Sequence, residues 1–224
     1  MKNTSPFFVV SSGRSGTKMI EKLLSSIDDV EIKHEYMCET IQPLAFKYHL
    51  EIENENNILS KLENIYGSAV YYSEKKMWGD VSNKASWLIP LINKIFPNAK
   101  FIFLIRDGRK VVSSFFNKLK YECYDDKSFN IMNSWVNSPN KFPEPPHEKK
   151  YWWNVYKKNH PEYDTFINYN QFERISNHWK NINLTIEKDL ELIKSENKFF
   201  VRLEDLVTDK EKLKSMISFL GLDY

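Results

Sequence analysis

Long hydrophobic runs are missing from this 224-residue chain: stretches such as FIFLI at residues 101–105 last only a few positions, where a membrane helix needs about 20. The opening MKNTSPFFVVSS has one lysine before an apolar run too short for a secretion signal, so a cytoplasmic protein is expected. Cysteine is scarce. Cys38 and Cys123 form no CxxC pair and no zinc spacing, and each is read as a buried thiol, not a disulfide partner or a nucleophile. Charge of one sign is also lacking. With 32 Lys and Arg against 30 Asp and Glu, the formal net charge is +2, too little for a dedicated nucleic-acid binder. There is no internal repeat and no low-complexity tail. What is present is ordinary for a folded domain: 42% hydrophobic and 28% charged residues, in a chain long enough to bury a substantial core.

Residues 7–11, FFVVS, lack polar alternation and predict a strand buried on both faces. Met19, Ile20, Leu23, Leu24 and Ile27 recur at helical spacing and predict a helix over 17–27. Strand, loop and helix in this order open an α/β domain. Residues 36–66 read as mostly helical, though polar and rich in Asn. Trp87, Leu88, Leu91, Ile92, Ile95 and Phe96 trace another apolar helix face, with Pro90 near its start where a missing N–H does least harm. KFIFLI at 100–105 predicts a second strand, and a helix follows from about Gly108. Repetition of the strand-loop-helix unit implies a parallel sheet. Residues 121–170, with Pro139, Pro143, Pro145 and Pro146 among aromatics, are expected to form an irregular insertion over one face of a single domain spanning 1–224. A long amphipathic helix carries Ile175, Trp179, Ile182, Ile186, Leu190 and Ile193. KFFVRL at 198–203 is the third strand expected. Thr208 and Glu211 fit a capping box for a last helix that ends at Gly221.

The loop after the first strand, SSGRSGTK, has the residue types of an anion site. Amides at a helix N-terminus bind phosphate readily, Gly13 and Gly16 admit close approach, Ser15 and Thr17 add hydroxyls, and Arg14 and Lys18 add charge. It is not a Walker A loop. Gly13 and Gly16 are too close together, and Thr17 precedes Lys18, so neither the lysine nor the metal-holding hydroxyl falls where that loop needs it. Taken alone, the segment is either a phosphate loop of another kind or a basic strand-to-helix turn.

RSGTK behind an apolar strand resembles the 5′-phosphosulfate loop of sulfotransferases that use 3′-phosphoadenosine 5′-phosphosulfate (PAPS). That family also has an Arg at a strand end and a Ser eight residues later, both on the 3′-phosphate; FIFLIRDGRKVVSSFF supplies Arg106 and Ser114. WGDVSNKASWLIPLINKIFPNAK is similar to the segment before that Arg in bacterial and Golgi-type members, and FFVRLEDLVTDKEKLKSMISFLGL to the family's C-terminal segment. The resemblance runs from about Phe7 to Leu222, broken at 121–170. It implies an α/β, P-loop-like three-layer fold with a central parallel sheet. It also implies metal-independent transfer from PAPS, with 3′-phosphoadenosine 5′-phosphate (PAP) as product. Arg14, Ser15, Gly16, Thr17, Lys18, Arg106 and Ser114 would bind the nucleotide. One departure is Val81, where many relatives have a Lys directly after the Asp; here Lys84 comes three positions later.

Sulfuryl transfer resembles phosphoryl transfer: an in-line displacement in which charge builds on the leaving oxygen. Arg14 would stabilise that oxygen electrostatically, since an Arg does not readily give up a proton. EIKHEY offers two candidate bases, Glu35 and His34. Glu35 lies 21 residues after Arg14, close to the spacing of the catalytic Glu in the tyrosylprotein sulfotransferases that this stretch resembles. His49, His147, His160 and His178 have no motif context. The acceptor is open among glycans, peptides, lipids and small metabolites. Tyr151, Trp152, Trp153, Tyr156, Tyr163 and Tyr169 of the insertion either stack on it or pack into a core. A nucleotide or sugar kinase, and a binding module without catalysis, are the other readings.

Overall fold

A computed structural model of the chain describes residues 4–145 and 154–223. Its strands are β1 (Ser5–Val10), β2 (Val30–His34), β3 (Met77–Val81), β4 (Lys100–Ile105) and β5 (Lys198–Arg202). All pairings are parallel, in the order β2-β3-β1-β4-β5. Helices α1 (Thr17–Leu24), α2 (Cys38–His49), α3 (Glu55–Tyr72), α4 (Ile89–Ile95) and α5 (Gly108–Lys118) link the first four strands and lead out of the fourth. Then come α6 (Asp126–Asn137), α7 (Tyr163–Phe166) and α8 (Gln171–Leu190), and, after β5, α9 (Leu203–Thr208) and α10 (Lys210–Phe219).

Strand alternation sends successive side chains to opposite faces, and both faces are covered. Phe8 and Val10 join Trp78, Phe101 and Phe103 in a core shared with α3, α4, α5 and α8. Phe7 and Val9 join Ile102 and Leu104 in a second core closed by Ile20 and Leu24 of α1 and by Met216 and Ile217 of α10. Full burial of each such side chain contributes about 1.5–3 kcal/mol. The result is the expected α/β three-layer fold with a central parallel sheet.

Two strands were not legible in the sequence. β2 alternates, with Val30 and Ile32 buried and Lys33 exposed, because it is an edge strand. β3 reads MWGDV and is buried throughout, although Gly and Asp disfavour strands on composition. Other expectations shift. Met19 is 38% exposed, because the buried stripe of α1 runs through Ile20 and Leu24 instead. Cys123 is buried, but Cys38, which opens α2, is only partly so; both are free thiols. The expected capping box at Thr208 does not form. Asp209 caps α10 by accepting from the Glu211 and Lys212 amides, while the Thr208 hydroxyl donates to Glu204 O. Within 121–170, α6 is a regular helix capped by Asp125, with Phe129, Met132, Trp135 and Val136 buried at helical spacing. Tyr156 and Tyr163 pack into the core; Pro146, His147, Tyr151, Trp152 and Trp153 lie outside the described residues.

The site's position follows from the strand order. From β1 the chain crosses outward to β2 and back to β3, then passes to β4 on the other side of β1. Strand order reverses at β1, and the crevice at its carboxyl end is where such sheets bind ligands.

Candidate active site

At the end of β1 the chain makes the tight loop expected to hold an anion. Gly13 and Gly16 have φ of +82° and +92°, a region costly for residues with a Cβ. A Cβ on Gly16 would also lie 2.7 Å from the Leu203 side chain. Arg14, between them, holds φ of 53°. Gly16 caps α1 with no side-chain hydrogen bond and no acidic residue in the first turn, so that turn keeps its positive end for a ligand. Ser15 is fully buried, and its hydroxyl donates to Gly13 O at 3.0 Å. An anion would therefore meet its amide, not its hydroxyl. Thr17 Oγ1 is 2.9 Å from His34 Nε2.

The end of β4 meets this loop. Arg106 Nη1 donates to Arg14 O at 2.9 Å, and Arg14 Nε donates to Ser114 Oγ at 3.1 Å. Residues about a hundred positions apart are thus held within one hydrogen-bond shell. Beyond β2, Glu35 has φ of 54°, and its amide donates to Val81 O. Glu35 Oε2 stands 4.0 Å from His34 Nδ1, with side chains 25% and 17% exposed respectively. A cavity of about 400 Å³ is lined by Gly13, Arg14, Gly16, Thr17, Lys18, His34, Glu35, Arg106 and Ser114. Every residue expected at the site lines this one space, apart from buried Ser15. The sequence reading did not include Asn83, Phe115, Lys118 and Leu119, which line it too.

A family model for sulfotransferases matches residues 6–138 of the chain. The chain belongs to the sulfotransferase family. Solved structures agree on the fold. The sulfotransferase domain of the curacin biosynthetic pathway matches with a TM-score of 0.57 at 14% identity, over 100% of this chain and 76% of its own. A sulfotransferase from Alicyclobacillus acidocaldarius gives 0.55 at 13%, over 98% and 81%. Mouse sulfotransferase SULT7A1, complexed with PAP, gives 0.50 at 14%, over 98% and 59%. No curated protein sequence matches at a significant level. Sulfuryl transfer is the enzyme's chemistry.

Behind the cavity of this sulfotransferase lies a shell that only the fold assembles. His178 of α8 places Nε2 3.1 Å from Ser12 O and Nδ1 3.0 Å from the Tyr124 hydroxyl. A carbonyl only accepts, so the proton is on Nε2 and Tyr124 donates to Nδ1. Burial pushes His178 down to about 3, so it clamps the loop as a neutral ring. Lys84 is 1% exposed, with Nζ 4.4 Å over the Trp87 ring, and burial lowers it to about 7. It packs behind the site and does not line the cavity. Among the described residues no helix is long and apolar enough to cross a membrane.

Asp80 anchors the turn that carries Glu35. It is fully buried, and accepts from the Tyr36 amide at 3.0 Å and the Tyr66 hydroxyl at 2.9 Å. Burial pushes its carboxyl up from 3.8 to about 7, against these two hydrogen bonds. A group whose folded value is raised takes up a proton on folding between those two pH values. Its contribution to stability therefore falls as pH rises from about 4 to 7, and is level above that. Asp80→Asn removes this slope. The stability of wild type relative to the variant should fall by up to about 4 kcal/mol across that window, read from denaturant unfolding at several pH values. Equal slopes in both proteins would mean that another group titrates.

Proposed function

We propose that this sulfotransferase moves the sulfuryl group of PAPS to an acceptor hydroxyl or amine and releases PAP. One observation carries this reading: two cationic strand ends and a carboxylate converge on a single cavity. The anion loop and Arg106 with Ser114 are suited to two separate anionic groups, as a 3′,5′-substituted nucleotide presents. Arg106 also lines a neighbouring cavity of about 390 Å³ with Trp179, Phe200 and Arg202, whose aromatic rings suit a nucleoside base. That a mouse relative in fold was solved with PAP supports the same ligand.

PAPS supplies the activated sulfuryl group. The amides of Ser15–Lys18 hold its 5′-phosphate, Arg14 offsets charge on the bridging oxygen, and Arg106 and Ser114 take the 3′-phosphate. Glu35 accepts the acceptor's proton, an assignment that follows the resemblance to tyrosylprotein sulfotransferases. The acceptor enters on the Glu35 side, and a screen with labelled PAPS over glycans, peptides, lipids and small metabolites identifies it. Free Cys38 and Cys123 suit a reducing cytoplasm.

PAP is expected to bind far better than AMP, with or without a chelator. Losing one charged hydrogen bond costs about 1.5–3 kcal/mol, so Arg106→Ala should erase most of the preference. Calorimetry with both nucleotides reads this directly. Equal affinities in the wild type, or tight magnesium-dependent ATP binding, would point to a kinase instead.

A further inference from the structure

β3 lies between β2 and β1. Asn83, two residues beyond β3, therefore falls between the turn bearing Glu35 and the anion loop. It lines the cavity that both share. Its Nδ2 is 3.1 Å from where a Cβ on Gly13 would sit, so a glycine there is what lets the amide approach the loop. Its Oδ1 is buried without a hydrogen-bond partner among the described residues. Buried polar atoms of this kind are uncommon and disfavour folding, and an apolar side chain would fill the same place without that penalty. The Nδ2 end also makes no hydrogen bond among the described residues and is not among the buried atoms, so the amide turns its free donor to the cavity, in the gap between Glu35 and the anion loop.

We propose that Asn83 is a catalytic residue that contacts the transferring sulfuryl group, with Nδ2 donating to one of its non-bridging oxygens. The inference rests on the sulfotransfer reading above. The 5′-phosphate lies over the loop amides, and the acceptor oxygen or nitrogen is next to Glu35. The sulfur in flight passes between them, where Asn83 stands. A neutral donor suits the position: it steadies oxygens that gather charge in transfer, and it adds no charge that would hold PAP after the sulfuryl group has gone.

PAPS and PAP differ by the sulfuryl group alone, so the two ligands crossed with the substitution isolate the contact. Wild type, Asn83→Ala and Asn83→Asp are titrated calorimetrically with each, in the absence of acceptor. Asn83→Ala should weaken PAPS roughly tenfold and PAP less than twofold. Asn83→Asp, equal in size but unable to donate, should weaken PAPS more than PAP, since its charge opposes the 5′-phosphate of both while the lost donor affects PAPS alone, and it serves if the Ala variant does not fold. The second readout is single-turnover transfer to water. There the bond from sulfur to the 5′-phosphate oxygen breaks, a bond from the water oxygen forms, and Glu35 takes the water's proton. Its rate should fall about 10- to 100-fold in both variants. Equal losses for PAP and PAPS, or an unchanged transfer rate, would overturn the role of Asn83 and leave the sulfotransfer reading standing. A wild type that binds neither nucleotide would overturn both.

Discussion

Glu35→Gln is expected to lower single-turnover transfer from PAPS to a working acceptor by roughly 10²–10⁴-fold, the range that a positioned general base contributes. PAP affinity should barely change, because Gln keeps the size of the side chain and most of its hydrogen bonding. The geometry favours Glu35 over its neighbour. His34 Nε2 is engaged with Thr17 of the anion loop, whereas Glu35 sits on a left-handed turn held by its own amide and by the Asp80 bond to Tyr36. Backbone strain of this sort persists where the surroundings over-determine it, and it clusters at working sites. His34→Asn should accordingly be mild, altering the loop contact more than the chemical step. An inactive His34→Asn beside an active Glu35→Gln would reverse the two roles. Two active variants would place the base elsewhere.

Arg14→Ala should lower turnover by about 10²–10³-fold, the cost of removing one donor from a site of developing charge, with a much smaller loss of PAP affinity. Charge on the bridging oxygen builds mainly in the transition state, so an interaction made there acts on rate more than on binding. Arg14 Nε meets Ser114 Oγ at 3.1 Å, which leaves the rest of the guanidinium for the nucleotide. Stopped single-turnover assays and calorimetry on the same preparation separate the two effects. A variant with full turnover would reduce Arg14 to a binding residue, and equal losses in rate and affinity would argue against a role specific to the transition state.

Much of the site was written in local sequence. An anion loop is a property of a few consecutive residues: small ones that permit positive φ, and the exposed amides of the next helix. Gly13, Gly16 and the order Thr17-Lys18 therefore spoke without the fold. Arg106 with Ser114 was legible through the family resemblance, whose Arg-to-Ser spacing a helix after a strand end can keep fixed. β1 and β4 were legible because strands buried on both faces show as unbroken apolar runs. β3 was not. Gly79 and Asp80 break such a run, and their place is set by a central register and by the Tyr66 and Tyr36 contacts that Asp80 makes.

By itself, then, the sequence determined the parallel α/β class, the two basic junctions and the pair His34-Glu35 as candidate bases, since each depends on residues near one another in the chain; the preference for Glu35 came from the family resemblance. Only the tertiary structure decided that the three meet at one cavity, because the strand order β2-β3-β1-β4-β5 is a matter of packing between distant segments. The same order placed Asn83 between Glu35 and the loop. It brought Asp80 beneath Glu35, and it set His178, 166 positions from Ser12, against the loop carbonyl. No local pattern encodes these neighbours; they are chosen when both faces of the sheet are buried together and every buried polar group must find its partner.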